Sequence, residues 1–161
     1  MNILKTIRRH KPTSVEEFED ELGLDLIAMD NGSFREVYNI SGTRLVVKIP
    51  MEIDLDGCGV HAMAAAHSRR EIRRIRQVLR RKNLTHIRRY VPKVYYADYK
   101  SGVIVMEMLR DIGKVDRAAE NIIAHMLEDT FPCVNNCSDA KSTNLGINTR
   151  GQIKVLDWGC V

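Results

Sequence analysis

The sequence predicts an α+β domain organised around a predominantly antiparallel sheet. Three observations predict it. Short apolar or alternating stretches recur at 24–29, 34–40 and 44–49, at 94–99 and 103–109, and at 145–147 and 152–156. The turns Ser41-Gly42-Thr43, Lys100-Ser101-Gly102 and Arg150-Gly151 join them into hairpins. Between the hairpins stand segments whose apolar residues recur at helical spacing. The order is small helix, hairpin, helix, hairpin, helix, hairpin.

A length of 161 residues supports one domain with a real core. The apolar share of 44% and charged share of 29% match a globular chain. Apolar runs are too short for a membrane span, and Met1-Asn2-Ile3-Leu4-Lys5 lacks the apolar stretch of a secretory signal. A cytoplasmic location is expected, with no membrane partner. Cys58, Cys133, Cys137 and Cys160 are too few for a disulfide scaffold, so reduced thiols are expected.

Residues 1–12 are basic and read as an arm or short helix ending at Pro12. Ser14-Val15-Glu16-Glu17 fits a capping box, and Val15, Phe18 and Leu22 continue at helical spacing to Gly23, giving a helix over 14–22. Residues 1–23 are thus an N-terminal segment, and 24–161 the main domain. Residues 51–60, with Gly57 and Gly59, read as a loop. A helix spans 62–82, with Ile72, Ile75, Val78 and Leu79 as its apolar stripe. Another spans 116–130, bearing Ile122, Ile123, Met126 and Leu127.

The net charge of +4 is unevenly spread. From Arg69 to Lys82 there are seven Arg and one Lys against the single acid Glu71. A solvated face or an acidic protein partner is the commoner use of such a run; contact with nucleic-acid phosphates through Arg69–Arg89 is the alternative. Glu71 lies on the Ile75/Val78 side of its helix. An acid facing the core needs a buried partner, and Lys48, at the end of the apolar strand Val46-Val47-Lys48, is the expected one.

The richest segment is Asp139-Ala-Lys141-Ser-Thr-Asn144, then Leu145-Gly146-Ile147, then Asp157-Trp158-Gly159. Carboxylate and amide oxygens are hard ligands suited to Mg²⁺, which in turn holds phosphates. A second carboxylate can orient a hydroxyl, and a lysine can neutralise a moving phosphoryl group. The stretch closely resembles the protein-kinase catalytic loop and metal motif, D-x-K-x-x-N…D-F-G. Asn144 follows Asp139 by five positions and Asp157 follows Asn144 by thirteen, as in that pattern.

The resemblance extends over about residues 24–161 and implies a kinase-like antiparallel N-lobe sheet with its helix, plus a much reduced C-lobe of one helix and the catalytic-loop hairpin. It implies ATP and Mg²⁺ as cofactors. Asp139 becomes the catalytic base, Lys141 the phosphate-facing lysine, and Asn144 and Asp157 the metal ligands. Lys48 holds the α- and β-phosphates and pairs with Glu71. Gly32, Ser33, Phe34 and Val37 resemble the phosphate-covering loop, with Asp30 and Arg35 in its outer glycine positions. Val46 belongs with Lys48 to the V-A-I-K-like nucleotide-binding strand, Met106 is the pocket-depth (gatekeeper) residue, and Glu107, Met108 and Leu109 form the hinge whose backbone bonds the base.

The sequence also departs from the pattern. Cys137-Ser138-Asp139 stands in place of H-R-D, and with Val161 two residues after Asp157-Trp158-Gly159 neither an activation segment nor a helical substrate lobe is expected. The expected activity is MgATP-dependent phosphorylation of a hydroxyl on a protein substrate or on itself. The alternatives are a nucleotide-binding pseudokinase acting through protein contact, and an atypical kinase acting near RNA. The apolar residues of the 116–135 segment imply a homodimer or a docked protein partner on that side.

Overall fold

The computed structural model describes residues 2–31, 34–51, 60–111, 118, 121–123, 125–126 and 144–158. It is α+β. The chain divides into two compact units, one of Met1–Ile72 with Lys93–Met108, the other of Arg73–Pro92 with Leu109–Val161.

The first unit holds helix α1 (Ile3–His10) and strands β1 (Leu26–Asn31), β2 (Arg35–Ile40), β3 (Leu45–Pro50), β4 (Val94–Ala97) and β5 (Ile104–Glu107). Helix α2 (Val60–Arg80) begins here and continues into the second unit. The strands make one five-stranded sheet in the order β1-β2-β3-β5-β4, every pair antiparallel. Ile7 of α1 and Phe18 are fully buried, packed in one cluster with Leu26, Ile40, Val47, Ile49 and Val105. The basic N-terminal segment is therefore helical over Ile3–His10, and the buried Ile7 seats that helix on the sheet. Asn2 caps it, its side chain accepting from Lys5 N at 3.2 Å.

The helix expected over 14–22 is wound differently. Glu17–Glu21 forms a π-helical turn in which Phe18 is buried. Ser14 Oγ accepts from Glu17 N as a capping box requires, but the Glu17 carboxylate reaches back to Thr13 N and Oγ1, not to Ser14 N. The wider turn spaces Phe18 and Leu22 onto the same buried cluster.

In the second unit, β6 (Arg110–Asp111), β7 (Leu145–Ile147) and β8 (Ile153–Val155) form a separate antiparallel three-stranded sheet. The sequence reading has no β6; two residues are too short to show a periodicity. Gly146 is what lets this strand approach, since a Cβ there would sit 2.7 Å from Leu109 Cβ and 3.2 Å from Arg110 O. Helix α3 (Thr85–Arg88) follows a 3₁₀ turn at Lys82–Leu84. Ile75 and Val78 are buried as expected of the α2 stripe, but Leu79 is 48% exposed and is not part of it. Residues 118, 121–123 and 125–126 are helical; Ile123 is buried, while Ile122 is 66% exposed and faces away from any core. Leu127 and most of the 116–135 face lie outside the described residues.

The β4–β5 hairpin turns through Gly102 at φ 84°, where an added Cβ would fall 2.9 Å from both Pro50 Cγ and Ser68 Cβ. Asp98 closes the same turn, accepting from Ser101 N, Ser101 Oγ and Lys100 N. Partial burial pushes its carboxyl up, yet those hydrogen bonds and the nearby Lys11 charge outweigh it and hold it below the ordinary value. Gly102→Ala combines a left-handed backbone with two overlaps and is expected to cost about 2–4 kcal/mol. Urea denaturation checks this, and a loss under about 1 kcal/mol would mean the turn relaxes freely.

Candidate functional site

Within the first unit, strand register decides which side chains meet. Arg35 pairs across from Pro50, Val37 from Lys48, Val46 from Met106, and Lys48 from Ile104. Cross-strand partners share a face, and alternate residues along a strand share it too. Arg35, Val37, Val46, Lys48, Ile104 and Met106 therefore lie on one face of the sheet. The opposite face carries Tyr38, Val47, Ile49 and Val105, which belong with the Ile7–Phe18 cluster. There burial and a hydrogen bond to Glu36 push the Tyr38 hydroxyl up to about 12.

Helix α2 places Glu71 against the first of these faces. Ala64, Ser68, Glu71 and Ile72 are its buried positions in this unit, at the spacing of a single helical stripe. Glu71 is completely buried, and Lys48 Nζ donates to its Oε1 at 2.9 Å. Arg35 Nη1 forms an ion pair with the other oxygen, Oε2. Lys48 and Arg35 are only 5% and 6% exposed, so one buried carboxylate joins two buried cations. In such surroundings the charges cannot fall back on water, and each leans on the others.

The sequence singled out Lys48 and Glu71; it missed Arg35 as their third member. The signal was present. Arg35 and Val37 are two apart in a strand whose partner carries Lys48, so strand parity alone sends the arginine to the same face.

Met106 is 1% exposed, and its cross-strand partner Val46 is buried beside it. Val37 is half-buried. Phe34 stacks on His67 of α2, with ring centroids 5.2 Å apart and planes 21° from parallel. The Glu107 N–H donates to Lys93 O and the Met108 N–H to Arg44 O, so both of these backbone donors are already committed within the unit. Gly32, Ser33, Asp139 and Lys141 lie outside the described residues.

In the second unit, Leu145 pairs with Val155, and Leu156 N donates to Asn144 O at 2.7 Å. Hairpin pairing thus brings Asn144 and Asp157 to the same end of β7 and β8, both partly exposed. Trp158 anchors that end. It is fully buried, its Nε1 donates to Val155 O at 3.1 Å, and its own carbonyl accepts from Arg74 Nη1 at 3.1 Å. An amide and a carboxylate gathered at a fixed hairpin end fit a Mg²⁺ that draws its other ligands from phosphates and water. Among the described residues no group of three or more His, Cys, Asp or Glu is assembled.

Comparison of the sequence with models of known protein families and with curated proteins finds no match. The reading of the site therefore stands on its residues.

Replacing Glu71 by Ala removes the carboxylate that Lys48 and Arg35 share and is expected to cost about 3–5 kcal/mol. Lys48→Met should then cost less in that variant than in the wild-type protein, by about 1 kcal/mol or more. Strict additivity in a double-mutant cycle, read by urea denaturation, would show that the three charges are not coupled.

Proposed function

We propose that the protein is a MgATP-dependent phosphotransferase of minimal, kinase-like design. The observation that carries the reading is the buried Lys48–Glu71 pair at 2.9 Å, on the sheet face that also presents Val37, Val46 and Met106. Apolar residues share that face with fixed cations of the kind suited to phosphates. Glu71 holds Lys48 in place, so little side-chain entropy remains to be lost on binding.

In this reading Lys48 meets the nucleotide phosphates, and Leu109 with the hinge carbonyls meets the base. Asn144 and Asp157 offer oxygens to Mg²⁺, which when bound would neutralise phosphate charge. Asp139 orients the acceptor hydroxyl and Lys141 faces the transferred group, as the sequence resemblance implies. Arg35 favours a second reading, nucleotide binding without transfer. A buried guanidinium stands where the phosphate-covering pattern has its third glycine, next to the lysine that would serve transfer.

Titration calorimetry with ATP, with and without Mg²⁺, tests both readings. The wild-type protein should bind in a Mg²⁺-dependent manner, and Lys48→Met or Asp157→Ala should weaken binding about ten- to hundredfold. No binding by a folded wild-type chain, or unchanged affinity in both variants, defeats the assignment. Incubation with labelled MgATP then separates the two readings, since binding without phosphate incorporation selects the second.

A further inference from the structure

The chain entering β2 is fastened to helix α2 at two points. Phe34 stacks on His67, and its neighbour Arg35 forms an ion pair with Glu71. His67 and Glu71 stand four residues apart, so they share one side of the helix at successive turns. Two adjacent residues thus grip two adjacent turns.

The strand does not need these contacts to find its place. Arg35 lies in register with Pro50, and Met51 N donates to Phe34 O at 3.1 Å, so pairing with β3 already sets it. What the contacts place is the helix. Its buried side chains among the described residues of this unit are Ala64, Ser68, Glu71 and Ile72, and only Ile72 is large and apolar. So little apolar burial leaves the position of Glu71 to its polar and aromatic partners. The carboxylate itself also needs fixing. The last torsion of a glutamate is broad, and a lysine is a point charge on a flexible stem. A carboxylate held at one oxygen would turn and carry Lys48 with it. With Lys48 Nζ on Oε1 at 2.9 Å and Arg35 Nη1 on Oε2, turning would break a buried ion pair.

We infer that Arg35 is a positioning residue: through Glu71 it aims Lys48 at the phosphates of a nucleotide. Phe34 supports it by holding the same helix one turn away. A glycine, which the resembled loop carries at this position, has no side chain for the task. This role rests on the nucleotide reading of Lys48 and gives the arginine a use within it. A direct contact between Arg35 and a phosphate is the competing role, and it differs in one consequence. A direct contact would survive the loss of Lys48, whereas an effect exerted through Lys48 would not.

Titration calorimetry with MgATP on R35M, K48M and the double variant tests it. R35M alone should weaken binding about tenfold, and in the K48M background it should change affinity by less than about twofold. R35K, which restores a cation opposite Glu71, should bind within about threefold of the wild-type protein. The ammonium resonance of Lys48 in NMR, assigned by its absence in K48M, gives a second readout on the protein without nucleotide. It should shift or broaden in R35M and return in R35K. Should R35M not fold, F34A carries the same test, since it loosens the helix while leaving all three charges in place. It should disturb the Lys48 resonance and weaken MgATP binding about threefold. A folded wild-type protein that does not bind MgATP defeats the nucleotide reading, and this role with it. Wild-type binding with R35M unchanged, an equal R35M loss in both backgrounds, or an unmoved Lys48 resonance overturns the role of Arg35 alone.

Discussion

The carboxylate of Glu71 is the constraint to which most of the first unit answers. A carboxylate taken fully out of water costs several kcal/mol unless cations and hydrogen bonds replace its hydration. Two strands supply them. Lys48 approaches one oxygen and Arg35 the other. That arrangement ties α2 to β2 and β3 and makes the register of the sheet matter. Slipping β3 by one residue would turn Lys48 into the cluster of Ile7 and Phe18 and bring Val47 to the carboxylate. Hydrophobic patterning alone would tolerate several pairings of such apolar strands; the buried charges select one. In the proposed reading Lys48 is also the side chain that a phosphate would meet, so structural and functional demands would fall together on it.

The sheet's two faces have divided the work. One face is closed by the first turns of the chain, with Ile7 from α1 and Phe18 from the π-helical turn filling the space over Leu26, Ile40 and Val47. Because that side supplies an ordinary apolar core, the other can carry charge. Buried ion groups seldom raise stability over a hydrophobic alternative of similar volume. Their presence at Arg35, Lys48 and Glu71 is what the proposed nucleotide site would account for.

Much of this was legible in the sequence, for reasons that can be traced. Hairpins 34–49 and 94–109 announce themselves by turns whose glycines adopt positive φ, Gly42 at 68° and Gly102 at 84°. Glu71 was legible because an acid on an apolar helical stripe is costly unless answered. Arg35 was not, since the resemblance treated it as a stand-in for a loop glycine while its strand parity went unused. The π winding at Glu17–Glu21 could not be read, because Phe18 and Leu22 have the spacing of an ordinary helix too. Leu79 has stripe spacing as well, yet it is exposed. Asn144 and Asp157 meet through pairing of β7 and β8, which Arg150-Gly151 announces.

The basic segment illustrates how a helix can hold like charges side by side. Arg73, Arg76 and Arg80 repel one another at neighbouring helical positions, by about 0.2–0.5 kcal/mol per pair. No acid within residues 72–97 offsets this. What holds the helix is its other side, where Ile75 and Val78 are buried and Arg88 satisfies the carbonyls of Val78 and Arg81. Most helical stability in proteins comes from such tertiary packing and not from surface pairs.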